Sequence, residues 1–144
     1  MSRSDCALSF FRQGFSCSQA VAAAFAADFG LDKDSALRIS QAFGGGIARR
    51  ADWCGALTGA FLVIGLKHGR TKAEDAAARD KTYALVQDFI ARFTARYGHI
   101  KCRDLLGCDI GTPEGQKQAD AQNLHRTKCE EYVRDAAALL EEML

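Results

Sequence analysis

The chain has 144 residues, with 19 Lys or Arg against 18 Asp or Glu, so its formal net charge at pH 7 is +1. This balance provides no electrostatic basis for binding nucleic acid or an acidic membrane surface. The longest apolar run, residues 56–66, is far shorter than the roughly 18–20 residues that span a bilayer. We therefore expect a protein that is not membrane-embedded and that folds as a single domain over residues 1–144.

The six cysteines have to be interpreted together with the compartment in which the chain folds. The apolar runs after Met1 are short and interrupted, which does not resemble a secretory leader, so we expect a cytoplasmic protein. In a reducing compartment a static disulfide framework is disfavoured. Cysteines there are more often redox-active, metal-binding or buried as small apolar residues.

The sequence pattern in the first part of the chain predicts only helices. A single proline, abundant alanine and the lack of sustained β-type alternation favour an all-α fold. Helices are predicted at 5–13, 17–29 and 33–43, each followed by a glycine suited to ending a helix. A fourth, at about 53–68, is apolar nearly all round, so we predict a helical bundle in which this helix is central.

The second part of the chain continues the helical pattern. A capping box that begins at Thr71 predicts a long amphipathic helix to about residue 97. A short helical turn is predicted at 103–106, and another helix is predicted to begin at Pro113. The last helix is predicted to run from about Lys128 to the C-terminus.

Three cysteines lie within two residues of a helix-capping signal: Cys17, Cys54 and Cys129. The first turn of a helix carries unpaired N–H groups and a partial positive charge, both of which favour a thiolate over a thiol. Because the thiolate is the reactive and metal-binding form, these three are candidate reactive cysteines. The capping residues that support this interpretation are Ser16 with Gln19, Asp52, and Thr127 with Glu130.

Glycines follow Cys54 directly. Gly55 and Gly59 leave a stripe of bare backbone, which favours close packing of a neighbouring helix or, alternatively, the approach of a cofactor or a second sulfur. A closely packed helix could itself bring another cysteine. We predict that the Cα atoms of Cys17 and Cys54 lie within about 7 Å of each other, which is disulfide or shared-metal distance.

A glycine loop at 44–46 precedes Cys54, and Arg49 and Arg50 follow the loop. This composition favours a flexible connection. The alternative is an anion site made of backbone N–H groups and arginine side chains, whose positive charge also lowers the pKa of Cys54. As a hypothesis, we predict a Cys54 pKa below the free-thiol value.

The remaining cysteines and the histidines carry weaker signals. Cys102 and Cys108 are six residues apart, so they can meet only if Gly107 breaks the helix between them. Cys6 lies among apolar residues of the first helix and is interpreted as a packing cysteine. No site is assigned to the histidines, which are His68, His99 and His125. The motifs of zincins, P-loop proteins, α/β-hydrolases and dinucleotide-binding proteins do not occur.

Residues 54–59 read Cys-Gly-Ala-Leu-Thr-Gly, and residues 43–46 before them read Phe-Gly-Gly-Gly. With these segments and its cysteine positions, nearly the whole chain resembles the C_GCAxxG_C_C family, small helical proteins named for redox activity. The resemblance implies that the redox cysteines are Cys17, Cys54, Cys102 and Cys129, with Cys108 in a secondary role.

Three functions fit these observations. The favoured one is thiol–disulfide exchange or electron transfer, in which Cys54 attacks a disulfide or a peroxide and a second cysteine resolves the intermediate. It requires no cofactor, and its partner is a redox protein or a small thiol or disulfide. The first alternative is a zinc or iron–sulfur protein that uses the four family cysteines as ligands. The second is a non-catalytic helical interaction module with inert thiols.

Overall fold

Eight α-helices make up the architecture, and the computed structural model describes residues 1–144. The helices are α1 (Arg3–Arg12), α2 (Cys17–Ala26), α3 (Lys33–Ser40), α4 (Gly55–His68), α5 (Ala76–Tyr97), α6 (Cys102–Leu106), α7 (Pro113–Ala121) and α8 (Glu130–Met143). Extended pairing is confined to one isolated antiparallel bridge, between Trp53 and Lys101. The predicted all-α, single-domain fold is confirmed.

Short irregular turns extend three of these helices. The 3₁₀ turns Ala27–Phe29 and Gln41–Phe43 directly follow α2 and α3. The backbone is therefore helical throughout residues 17–29 and 33–43, as predicted. A π-helical turn, His125–Cys129, leads directly into α8. This turn positions one of the candidate cysteines.

The apolar helix α4 lies at the centre of the bundle, as predicted. Its residues Leu57, Ala60 and Ile64 have no solvent exposure, because α2, α5 and α8 pack around it. Phe89 and Phe93 of α5 are also fully buried and continue the same core. Neither α4 nor any other helix has both the length and the apolar character of a membrane span.

The start of α5 differs from the prediction. The capping box expected at Thr71 does not form, and the helix begins at Ala76, after Asp75. The Asp75 carboxylate accepts a hydrogen bond from the Ala78 N–H at 3.1 Å. A carboxylate caps a helix at least as well as a threonine hydroxyl, and this one lies where the turn of residues 71–74 ends.

Candidate functional site

The four family cysteines line one cleft of about 1040 Å³, although they come from distant parts of the chain. Cys17 is the first residue of α2, and Cys102 is the first residue of α6. Cys54 directly precedes α4, and Cys129 ends the π-helical turn before α8. All six cysteines of the chain are free thiols.

The capping box predicted at Ser16 is confirmed. It sets the position of Cys17 at the start of α2. The Gln19 N–H donates to the Ser16 hydroxyl at 3.4 Å, and the Ser16 N–H donates to the Gln19 side chain at 3.1 Å. The Gln19 amide also donates to the Leu37 carbonyl at 3.0 Å. This side chain therefore ties the start of α2 to α3.

Close packing between α2 and α4 places Cys17 beside the start of α4. A Cβ atom added at Gly59 would lie 2.6 Å from the Ser18 carbonyl oxygen, and one at Gly55 would lie 3.1 Å from the Cβ of Cys17. Both glycines are thus required by a neighbouring helix, and that helix brings a second cysteine. The Cα separation of Cys17 and Cys54 stays a prediction, which this approach favours.

The Trp53–Lys101 bridge aligns the starts of α4 and α6. The Cys54 N–H donates to the Ile100 carbonyl at 2.9 Å, and the Cys102 N–H donates to the Asp52 carbonyl at 2.7 Å. The expectation that the Asp52 side chain caps α4 is wrong, since the helix begins without any side-chain cap. Asp52 contributes its backbone carbonyl to the bridge instead.

One wall of the cleft is a left-handed coil at residues 45–49, where five successive residues have φ between 49° and 72°. Each L-residue held in this conformation costs about 1–2 kcal/mol, and such strain is often found at functional sites. The N–H groups of residues 47–52 all donate to carbonyls within residues 42–47. The predicted flexible connection is therefore wrong, because hydrogen bonds hold this backbone in place. The N–H groups of Gly45 and Gly46 donate to no backbone carbonyl, so the alternative anion site stays a prediction.

Cys129 does not lie at a helix start, so the Thr127 capping box is also wrong. The Thr127 hydroxyl donates to the Asn123 carbonyl at 3.0 Å. The backbone is already helical from His125 onwards, which leaves no free N–H groups at residue 127 to cap. Any ionisation of Cys129 must have another cause.

That cause is a group of side chains around its sulfur. Hydrogen bonding with the Cys17 side chain lowers the pKa of Cys129, and the hydrogen bond and positive charge of His125 lower it further. The pKa of Cys17 is raised well above the free-thiol value, chiefly by the same hydrogen bond. These shifts favour a protonated thiol at Cys17 and a thiolate at Cys129. Interaction with Cys129 also raises the pKa of His125, so each of these two groups favours the charged form of the other.

The pKa values of Cys54 and Cys102 are shifted in the opposite direction from that of Cys129. Burial raises the pKa of each thiol to about 12. At Cys54 the nearby backbone N–H groups of Ala56 and Leu57 lower the pKa, but desolvation outweighs them. The predicted lowering of the Cys54 pKa is therefore wrong.

The cleft does not present a ready metal site. No three of the chain's Cys, His, Asp and Glu side chains converge closely enough to hold a metal ion. Four thiolates would have to move together to bind zinc or a cluster, because such ligands surround the metal at about 2.3 Å. The metal alternative therefore lacks a preassembled ligand set in this conformation.

His125 was not predicted as a site residue, and two cysteines were predicted to lie outside the main site. The signal for His125 was its spacing of four from Cys129, which places two side chains on one helix face. Cys108 is buried beyond Gly107, which ends α6 in the left-handed conformation with φ 75°. Neither Cys108 nor Cys6 lines the cleft, and Cys6 packs against the core as expected.

The fold and the cleft define a small all-α protein in which four cysteines from distant parts of the chain line one cleft. The chain belongs to the family described as "Putative redox-active protein (C_GCAxxG_C_C)", which matches residues 15–143. The family predicted from the cysteine pattern is thereby confirmed. No curated protein and no solved structure matches the chain.

Proposed function

We propose that the protein carries out thiol–disulfide exchange, with Cys129 as the attacking thiolate and Cys17 as the resolving thiol. The observation that carries the proposal is that Cys129 lines one cleft together with Cys17 and His125, both of which lower its pKa through hydrogen bonding. A thiolate attacks disulfides, whereas a thiol does not. The shared cleft and the lowered pKa of Cys129 therefore support these two roles.

The reaction has two exchange steps. The Cys129 sulfur attacks one sulfur of the substrate disulfide, and the other substrate sulfur leaves with the bonding electrons and takes up a proton. Cys17 then loses its proton and attacks the Cys129 sulfur, which forms the Cys17–Cys129 disulfide and releases the second substrate thiol. The protein is oxidised by two electrons, and the substrate disulfide is reduced to two thiols.

This assignment moves the attacking role from Cys54 to Cys129. A thiol with a pKa of about 12 is almost entirely protonated at neutral pH, as at Cys54 and Cys102. Cys54 and Cys102 remain candidate redox cysteines because they line the same cleft. As protonated thiols, however, they are poor nucleophiles for the first attack. Six unpaired cysteines support work in a reducing compartment, for which we propose the cytoplasm.

The test is oxidation of the reduced protein with one equivalent of diamide, followed by disulfide mapping of the alkylated peptides by mass spectrometry. We expect the Cys17–Cys129 disulfide as the first product. Cys17→Ser and Cys129→Ser should each abolish it, whereas Cys6→Ser, outside the cleft, should leave it unchanged. A first product that joins Cys54 to Cys102, or no intramolecular disulfide at all, would contradict the proposal.

A further inference from the structure

We propose that the oxidant of the Cys17–Cys129 pair is a low-molecular-weight disulfide that carries carboxylate groups, bound in the cleft by Arg49 and Arg126. This inference rests on the proposed function and adds the chemical class of its substrate. It follows from the access to the sulfur atoms, from the charges that line the cleft and from the placement of the two arginines.

The Cys129 side chain is almost completely shielded from solvent. Cys129 is only 5% exposed, although it lines a cleft of about 1040 Å³. A disulfide on the surface of a folded protein would have to project deep into this cleft before its sulfur could meet Cys129. A small disulfide meets no such obstacle, because the cleft is at the upper end of the roughly 300–1,000 Å³ typical of small-ligand sites.

The charges that line the cleft leave an excess of positive charge. Its ionisable residues, cysteines and tyrosine aside, are three arginines, His125 and Glu130. Arg12 binds Glu130 at 3.0 Å, so these two charges cancel. His125 is offset by the Cys129 thiolate. Arg49 and Arg126 remain, and neither forms an ion pair within the chain.

Both free arginines are placed by ordered backbone. Arg49 ends the run of left-handed residues, with φ 63°, and its carbonyl packs so tightly that a Cβ at Gly111 would lie 3.0 Å from it. Arg126 follows His125 in the π-helical turn that carries Cys129. Both side chains are exposed, and a guanidinium binds a carboxylate through two parallel hydrogen bonds. Two such groups beside a reactive thiolate suit a disulfide with a carboxylate on each half.

The small disulfide oxidises the protein by the same two exchange steps. The Cys129 sulfur forms a bond to one sulfur of the small disulfide while the S–S bond breaks, and the departing thiolate takes up a proton. Cys17 loses its proton, closes the protein disulfide and releases the second carboxylate-bearing thiol. The small disulfide is the only oxidant required.

The experiment compares three small disulfides of different charge: dithiodipropionate, which is dianionic, hydroxyethyl disulfide, which is neutral, and cystamine, which is dicationic. The rate of Cys17–Cys129 disulfide formation is measured with each one. Every rate is divided by that of the same disulfide with free mercaptoethanol, because the leaving thiols differ in intrinsic reactivity. The assay uses salt of about 0.01 M, where charges act over roughly 30 Å.

We expect the normalised rate with dithiodipropionate to exceed that with cystamine by roughly tenfold or more, and the ratio to fall as salt is added. The double variant Arg49→Gln with Arg126→Gln should bring the ratio close to one. Arg50→Gln is the matched control, because Arg50 is an exposed neighbour of Arg49 that does not line the cleft. Its ratio should remain that of the wild type.

Two results would overturn the inference. Equal normalised rates with all three disulfides would exclude charge recognition, and the proposed function would still stand if diamide closes the Cys17–Cys129 disulfide. Faster oxidation by a folded-protein probe, oxidised protein disulfide isomerase, than by any small disulfide would favour a protein partner. Failure of diamide itself to form that disulfide would contradict the proposed function, so the two failures are distinguishable.

Discussion

His125 precedes Cys129 by one turn of a π-helical stretch, and both residues line the same cleft. Each group favours the charged form of the other, because the pKa of the imidazole is raised and that of the thiol is lowered. A side-chain partner thus contributes to the lowered pKa of Cys129. Single π-helical turns of this kind are frequent at functional sites.

Replacing His125 with Gln should raise the pKa of Cys129. The substitution removes a hydrogen-bond donor and a positive charge that both favour the thiolate, so the midpoint of the alkylation rate against pH should move upward by about one unit. Site-resolved mass spectrometry of iodoacetamide labelling measures it. His99→Gln is the control, since His99 is exposed and does not line the cleft. An unchanged midpoint in His125→Gln would show that His125 does not lower the pKa of Cys129.

Stability should fall at alkaline pH because of the buried thiols. Burial raises the pKa of Cys54 and of Cys102 to about 12, so above pH about 9 the unfolded chain loses these protons while the folded chain keeps them. The stabilisation is complete below the ordinary thiol pKa and is lost as the pH rises toward 12. Each fully titrating group contributes a slope of about 1.4 kcal/mol per pH unit.

Urea unfolding between pH 7 and 10 measures this loss, and Cys54→Ala provides the comparison. The variant should be less stable than the wild type at pH 7, because it loses buried contacts. Its free energy of unfolding should decline less steeply with pH, since one buried thiol no longer titrates. Parallel curves for the two proteins would show that Cys54 titrates alike in the folded and unfolded states.

The approach of α2 to α4 should tolerate no side chain at Gly59. A Cβ atom there would lie 2.6 Å from the Ser18 carbonyl oxygen, so Gly59→Ala should destabilise the protein by about 1–3 kcal/mol. Gly65, on the same helix, has no atom within 4 Å of a new Cβ. Gly65→Ala should therefore stabilise the protein by roughly 0.5–1 kcal/mol through helix propensity. Thermal unfolding of both variants checks the opposite signs.

A glycine substitution should relieve the backbone strain of the left-handed coil. Ala48 is exposed and has φ 49°, so Ala48→Gly should stabilise the protein by roughly 0.5–1 kcal/mol once the larger chain entropy of glycine is deducted. The same change at Ala91, exposed within α5, should cost a similar amount. Urea unfolding measures both free energies. Destabilisation by Ala48→Gly as large as by Ala91→Gly would mean that the coil is not strained.

The errors made from the sequence share a physical origin. Thr71 and Thr127 both have capping-box spacing, yet Asp75 caps the first helix and a π-helical turn precedes the second. A capping motif specifies which bonds are possible, and the surrounding backbone decides whether free N–H groups are present to use them. The ordered left-handed coil after the glycine loop was not predicted for a related reason. Ile47 and Ala48 adopt positive φ angles, which residues of these types rarely do.

The sequence by itself determined the all-α class, the central position of α4, the capping box at Ser16 and the close approach at Gly55 and Gly59. These features follow from apolar periodicity, local hydrogen bonding and the size of side chains, which are properties of neighbouring residues. Only the tertiary structure decided the directions of the pKa shifts, downward at Cys129 and upward at Cys54. A pKa depends on desolvation and on partners from remote segments, here Cys17, and folding alone brings those together.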